Sequence, residues 1–140
     1  MTALPAWPAR TIAMLATVGD GPHVIPVSAP VRAGDDRILL SLHNTRGSLE
    51  RLRKDAQVAL LVLAGEDTAV TARGRASIVE EPMDCAPDYV AVAIDVTEVD
   101  DHRQPAFTVE AGVDRQWVDG AEQQALRTRV QALSAMAATG

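Results

Sequence analysis

The chain has 140 residues, 47% of them apolar, and carries 13 Lys and Arg against 19 Asp and Glu, a formal net charge of −6. This length is enough for one domain with a sizeable core. The acidic balance argues against broad binding of nucleic acid or of an acidic membrane, because such binding depends on Lys and Arg to neutralise phosphates. We therefore expect a single domain over residues 1–140 that binds neither.

The N-terminal stretch MTALPAWPAR lacks the apolar core after a basic start that marks a secretory signal. No run approaches the roughly 18 apolar residues of a membrane-spanning helix. The single cysteine, Cys85, cannot form an intramolecular disulfide and has no His or Cys close in sequence with which to share a metal. These features predict a cytoplasmic protein.

The dominant pattern along the chain is that of β-strands. Apolar and β-branched residues cluster in short runs, and two of the turns between them, at 19–21 and 33–36, are rich in Gly and Asp. The runs at 37–43 and 57–64 are almost continuously apolar, as in deeply buried strands. We predict strands at 11–18, 22–31, 37–43, 57–64, 69–79, 89–99 and 105–113.

Some of these strands carry more specific patterns. Pro22, Pro26 and Pro30 recur in the second run, and each lacks an N–H. That strand must therefore lie at a sheet edge, contain bulges, or turn its backbone toward something other than a neighbouring strand. The runs at 69–79 and 89–99 alternate between apolar or small residues and polar ones, which predicts half-buried strands.

Two segments predict helices. Residues 48–55 place two leucines on one side and charges on the rest, and residues 120–138 carry an apolar stripe at Leu126, Val130 and Leu133. A sheet of so many strands must close on itself or be covered, because open edges invite aggregation. We therefore predict a mainly β fold, a small antiparallel barrel with a short internal helix and a C-terminal helix.

Three stretches occur in an order that resembles the pyridoxamine 5′-phosphate oxidase-like split-barrel family: LATVGDGPHVIPVSAPV, then DDRILLSLHNTRGSLERLRKDAQVALLV, then VTARGRA. That family includes FMN- and F420-binding proteins, and the resemblance covers residues 10–80. It implies a homodimer of six-stranded antiparallel split β-barrels, with a flavin in a groove at the dimer interface.

The resemblance also implies where a cofactor would lie. The strand at 24–28 would run along the isoalloxazine ring, and the turn and helix start at 43–51 would hold the phosphate, in agreement with the use of helix N-termini as anion sites. The family's C-terminal strand often closes the pocket from the partner chain, and Trp117 follows the last predicted strand. The implied cofactor-binding residues are Val24, Ile25, Pro26, Val27, His43, Asn44, Thr45, Arg46, Ser48, Arg51 and Trp117.

This sequence departs from the family pattern at the phosphate turn. The family usually carries a lysine there, and alignment places that lysine at Ser48, whereas Gly47 and Arg51 match a common variant. A serine can donate one hydrogen bond but brings no charge, and charge-assisted hydrogen bonds are roughly twice as strong as neutral ones. Arg46, Arg51 and His43 are the candidates to supply the missing charge. Without them the site would bind FMN weakly or not at all.

Several residues have a plainer interpretation beside the functional one. The turn before the helix is either a phosphate cradle or an ordinary β-turn in which Thr45 or Ser48 caps the helix. Arg73 and Arg75 either touch a cofactor or substrate, or form cross-strand ion pairs on a solvated strand face. Trp117 is either part of the flavin pocket or an interface or core tryptophan. The sequence alone leaves these alternatives open.

Motifs of other enzyme classes are missing. His23 and His43 lie on strands predicted to be adjacent, but no carboxylate is spaced to supply a third ligand, so we predict no metal site. The chain has no G-x-S-x-G, no P-loop and no Cys–His pair at catalytic spacing, so a conventional hydrolase is not expected. No catalytic residue is identified from the sequence.

We interpret the chain as a small, homodimeric, FMN-binding protein of oxidoreductase type with a small-molecule substrate that the sequence does not name. In such a protein the cofactor carries the hydride chemistry, so dedicated acid–base residues are not required. F420 is the alternative cofactor. A cofactor-free dimeric binding or sensor module and a haem-binding relative with His23 or His43 as axial ligand remain as alternatives. An oligonucleotide-binding barrel is disfavoured, because the few aromatic residues are not interleaved with basic ones.

Overall fold

The computed structural model describes residues 3–139, and this range contains seven strands and two helices. In chain order they are β1 (Ile12–Thr17), β2 (His23–Ser28), β3 (Val31–Arg32), β4 (Arg37–His43), α1 (Gly47–Lys54), β5 (Gln57–Ala64), β6 (Thr68–Glu80), β7 (Tyr89–Asp101) and α2 (Gly120–Thr139). The two helices lie within one residue of their predicted bounds. No helix in the described range has the length and apolar character needed to cross a membrane.

All seven strands belong to one antiparallel sheet, in the order β2-β1-β5-β6-β7-β4-β3. The sheet curls into a half-barrel, and β2 at one edge comes close to β4 near the other. The predicted mainly β, split-barrel class is confirmed. The position of β2 at the edge confirms one of the arrangements that its prolines allowed.

The prediction of a single strand over 22–31 is wrong, and so is the count of six strands. Ala29 has a φ of 52°, which turns the chain, and Pro30 follows it without an N–H. β2 therefore ends at Ser28 and pairs with β1, whereas β3 pairs with β4 at the opposite edge. The break carries the chain across the mouth of the half-barrel.

The predicted last strand at 105–113 is also wrong, because the structure has no strand there. Asp67, in the turn between β5 and β6, binds this segment at a single residue: its N–H donates to the carbonyl of Val109 at 3.0 Å, and its Oδ1 accepts from the N–H of Val109 at 2.9 Å. One isolated bridge joins Gln104 and Phe107. The segment begins with a turn at 105–106, continues without regular structure and is largely exposed.

The main core fills the inside of the curled sheet. β6 alternates over its second half as predicted, and the leucines of α1 are both buried. The prediction of a half-buried β7 is wrong for its first half, because residues 90–94 are all buried and Ala91 and Ala93 pack with Leu133 of α2. β4 is buried on both faces, because α2 packs on its outer side through Leu39 and Leu133. β5 differs from the prediction of a deeply buried strand: one face is buried, but Leu63 on the other is 42% exposed.

The strand face that carries Arg73 is solvated. Arg73 donates from Nε to Asp100 at 2.8 Å and lies 2.9 Å from Glu98 on β7. The hydrogen bond from Arg73 holds the pKa of Asp100 below its usual value. Beside it, Gly74 lies at a β-bulge, where a Cβ would collide with the carbonyl oxygen of Asp95. Arg73 therefore has the cross-strand ion pairs that the plainer interpretation gave it.

Candidate functional site

A groove of about 660 Å³ runs between β2 and the turn that leads from β4 into α1. Small-molecule and cofactor sites usually have volumes of roughly 300–1,000 Å³. Two distant parts of the chain form it, since β2 supplies one wall and the end of β4 with the start of α1 supplies the other. Its lining residues are His23, Ile25, His43, Thr45, Arg46, Gly47, Ser48 and Tyr89.

The start of α1 lies at one end of the groove with its first turn uncapped. Arg46 occupies the N-cap position and makes no side-chain hydrogen bond to the helix, so the expectation that Thr45 or Ser48 caps it is wrong. Ser48 is 1% exposed, and its Oγ has no hydrogen-bond partner in residues 3–139. A Cβ at Gly47 would meet nothing within 4 Å, so there is room beside this turn. Free N–H groups and the helix dipole favour an anion here.

His43 is held in a fixed orientation by its neighbours. The N–H of Thr45 donates to His43 Nδ1 at 3.2 Å, and Thr45 Oγ1 lies 2.7 Å from the same nitrogen. The ring of Tyr89 packs edge-on against it, with centroids 5.1 Å apart and planes at 81°. A ring nitrogen that accepts a hydrogen bond carries no proton, so the neutral imidazole has its N–H at Nε2. His43 can therefore donate a hydrogen bond from Nε2.

β2 presents the predicted residues on two sides. Ile25 and Val27 point inward and are buried in the core, whereas Val24 is 60% exposed and Pro26 also faces outward. His23 lines the groove, and its Nδ1 is buried without a partner in the described range. Of the four predicted residues from 24 to 27, Ile25 lines the groove, Pro26 and Val27 line a smaller cavity beside it, and Val24 lines neither.

Two residues predicted around the phosphate lie elsewhere. Arg51 Nη1 donates to the carbonyl oxygens of Gly19 at 2.6 Å and Gly21 at 3.0 Å, which ties it to the turn between β1 and β2. Asn44 is exposed, and its N–H donates to the carbonyl of Asp88 at 2.8 Å. Within residues 3–139, Arg46 is thus the one Arg or Lys that lines the groove.

A smaller pocket of about 100 Å³ adjoins the groove beneath α2, and the two cavities share His43, Arg46 and Tyr89. Arg129 of α2 lines this pocket and is 7% exposed. Its Cζ lies 3.7 Å from the centre of the Tyr89 ring, and its Nε donates to Ser41 Oγ at 3.3 Å.

Sequence reasoning missed Arg129, although a signal was present. The predicted apolar stripe of α2 contains Leu126, Val130 and Leu133, and Arg129 follows Leu126 by three residues and precedes Leu133 by four. Residues three and four apart lie on the same side of a helix. A charged residue on an otherwise apolar helix face indicates a buried polar function.

Comparison with known families assigns the fold. The family model described as pyridoxamine 5′-phosphate oxidase matches residues 3–111, which is most of the chain. The chain belongs to the pyridoxamine 5′-phosphate oxidase family. This confirms the family that the order of the sequence motifs indicated.

Several solved structures have the fold of this chain. One is General Stress Protein 26 from Bacillus anthracis. It is 18% identical with a TM-score of 0.54, over 64% of this chain and 82% of that one. A FAD-binding protein from Mesorhizobium loti is 18% identical with a TM-score of 0.53, over 65% and 84%. An F420 reductase is 16% identical with a TM-score of 0.54, over 66% and 91%. At these identities the likeness shows the fold alone. No curated protein matches the chain significantly.

The family match ends at residue 111, so the residues after it lie outside the match. Trp117 is among them and lines a separate cavity of about 480 Å³ beside α2. The guanidinium of Arg115 lies over its ring, with Cζ 5.2 Å from the centre. Within its own chain Trp117 is therefore not brought into the groove with the other predicted residues.

In the part of the chain that the structure describes, no three His, Cys, Asp or Glu side chains are placed to hold a metal ion. Cys85 is exposed and unpaired. Within the described residues, polar side chains come together in the groove and in its adjoining pocket. Most of them can donate hydrogen bonds, which suits an anionic small molecule.

Proposed function

We propose that the chain binds a flavin-type cofactor, FMN, in the groove between β2 and the start of α1, and that it is a protein of oxidoreductase type. The observation that carries the proposal is the buried Ser48 hydroxyl at an uncapped helix start. Leaving a buried polar group without a partner costs about 1–3 kcal/mol. A ligand acceptor at this point would remove that cost. The known flavin- and F420-related proteins with the same fold support this class of cofactor.

The residues present fit a phosphate-bearing ring system. Ser48 Oγ, the free N–H groups of the first turn of α1 and the guanidinium of Arg46 would hold the phosphate. The backbone of residues 24–27 would lie beside the ring, with His43 Nε2 as a further donor. A bound flavin would supply hydride-transfer chemistry, and the protein would supply binding and orientation.

The proposal includes a homodimer in the cytoplasm. The homodimer is what the family resemblance implies, and four apolar side chains that are more than half exposed are the candidates for its contact. Val24 is 60% exposed, Phe107 58%, Val113 60% and Val118 99%. The exposed, unpaired Cys85 agrees with a cytoplasmic location, since free thiols persist in a reducing compartment.

The test is a titration of the purified protein with FMN and with F420, followed by cofactor fluorescence. We expect FMN to bind with a dissociation constant in the micromolar range or tighter. Arg46→Met should weaken FMN binding by roughly 10- to 100-fold, because a hydrogen bond to a charged group contributes about 1.5–3 kcal/mol. Arg53→Met is the matched control, since Arg53 pairs with Glu81 and does not line the groove.

Binding of neither cofactor by the wild-type protein would contradict the proposal. Tighter binding of F420 than of FMN would identify F420 as the cofactor. A cofactor-free binding module is favoured by one observation: Ser48 carries no charge and Arg51 is bound to another turn. The haem-binding alternative would need His43 to move its proton from Nε2 to Nδ1, which now accepts from the N–H of Thr45. A haem titration without a Soret band would exclude this alternative.

A further inference from the structure

We propose that the small pocket beneath α2 is an anion-binding site, built around Arg129, for the carboxylate or phosphate group of a small-molecule ligand. It is separate from the helix start at Ser48, although the two share a wall. That this ligand is the substrate of a redox reaction rests on the proposed function. The anion site itself is argued from the residues of the pocket.

Arg129 is a buried cation without a counter-ion. It is 7% exposed, and in residues 3–139 no carboxylate oxygen lies within the 4.0 Å of an ion pair. A guanidinium has five N–H donors, and here one of them is used, by Ser41. Stacking on Tyr89 compensates part of the cost of burying the charge. Its two terminal nitrogens have no hydrogen-bond acceptor in the described range and keep some exposed surface, and Arg129 lines the pocket. They are placed to bind an oxyanion in a bidentate manner.

The surroundings of Arg129 favour negative charge. Arg46 and His43 line the same pocket, and no acidic residue of the described range does. Arg115 reaches its rim, where Nη2 donates to Ser28 Oγ at 3.0 Å. The pocket is small, about 100 Å³. A water molecule takes up about 30 Å³ in the liquid, so the pocket suits a carboxylate or phosphate group and not a ring system.

The site lies beside the groove and not within it. His43, Arg46 and Tyr89 form the common wall, whereas Ser48 lines only the groove and Arg129 only the pocket. α2, which supplies Arg129, lies beyond the residues that match the family. The geometry therefore allows one molecule in the groove and the anionic group of a second in the pocket.

The test uses inorganic phosphate as the probe, with the full chain and chloride at matched ionic strength. We expect saturable binding by calorimetry and a rise in melting temperature with phosphate, because a ligand that binds the folded state stabilises it. Arg129→Met should weaken phosphate binding about tenfold or more, and Arg129→Lys should weaken it less. Arg127→Met, at an exposed position of the same helix, should bind phosphate as the wild type does.

Two results would overturn the anion site: no phosphate binding by the wild type, or equal binding by the wild type and Arg129→Met. A merely structural role for Arg129 would alter the melting temperature without altering its response to phosphate. Arg129→Lys, which keeps the charge, provides the measurement if Arg129→Met fails to fold.

A second titration with phosphate in the presence of saturating FMN tests the separation of the two sites. Phosphate binding that persists with FMN bound and is still weakened by Arg129→Met supports a second molecule in the pocket. Loss of the phosphate binding that depends on Arg129 when FMN is bound would overturn the separation and assign Arg129 to the cofactor. A protein that binds phosphate through Arg129 but neither FMN nor F420 would contradict the proposed function while leaving the anion site in place.

Discussion

Ser48 shows how a single side chain can oppose stability and serve binding. Its hydroxyl is buried at the start of α1, and no protein group in the described range accepts or donates a hydrogen bond there. At the N-cap position the hydroxyl would have bonded a free N–H of the helix, but Arg46 occupies that position and Ser48 lies inside the first turn. A polar group kept without a partner at a cavity wall is the feature expected where a ligand completes the hydrogen bonding.

Ser48→Ala tests this opposition. The unfolding free energy of the ligand-free protein should stay within about 1 kcal/mol of the wild type or rise, because an unsatisfied polar group is removed from a buried place. Affinity for FMN should fall about tenfold, because a hydrogen bond to the phosphate is lost. Urea unfolding and the fluorescence titration measure the two effects. Ser134→Ala, on the exposed side of α2, is the control. A large loss of stability with unchanged affinity would contradict the prediction.

The sequence located the groove but could not distinguish among its arginines. Residues 43 to 48 are contiguous, so a strand, turn and helix start necessarily bring them together. Arg46 and Arg51 are equally plausible by type, and the direction of Arg51 depends on Gly19 and Gly21, which are far away in sequence. Arg129 was missed for a similar reason: its partners Ser41 and Tyr89 are set by how α2 packs on the sheet.

At the scale of the elements, the β6–β7 pair depends on one glycine. A Cβ at Gly74 would collide with the backbone of Asp95, so Gly74→Ala should lower the unfolding free energy by roughly 2–4 kcal/mol. Gly47→Ala is the matched control, because its Cβ meets nothing within 4 Å. The control should be neutral or stabilise by about 0.4–1 kcal/mol. Urea unfolding of both variants provides the measurement, and equal effects would contradict the bulge as the cause.

The elements that could be predicted are those whose pattern is local. The alternation of apolar and polar residues predicted β6 and β7, and the spacing of apolar residues predicted both helices. These repeats of about 2 and 3.6 residues depend only on neighbours along the chain. The break at Ala29 could not be predicted in this way, since a positive φ is uncommon for alanine. The segment 105–113 has the composition of a strand, but its Val109 makes two hydrogen bonds with Asp67 and no ladder of strand pairing forms. Whether such a segment pairs depends on the tertiary arrangement and not on its composition.

At the scale of the whole molecule, we expect the homodimer of the proposed function, with exposed apolar side chains such as Phe107 in its contact. The wild-type protein should have a mass by light scattering of twice the chain mass of 14.9 kDa. Phe107→Asp should shift the protein toward the monomer, because it would place a charge in an apolar contact. Thr108→Asp, at the neighbouring exposed position, is the control. A wild-type protein that is monomeric at micromolar concentration would contradict the prediction.

The hydrogen bonds of Arg51 have a consequence for how the groove behaves as a mechanical unit. Arg51 and Lys54 of α1 both hold the turn that leads into β2, the arginine through Gly19 and Gly21 and the lysine through Asp20. These hydrogen bonds join the helix that begins one wall of the groove to the turn that begins the other, so we expect the two walls to move together. A molecule that enters meets walls already in position, so little of its affinity is lost to the entropy of ordering the protein.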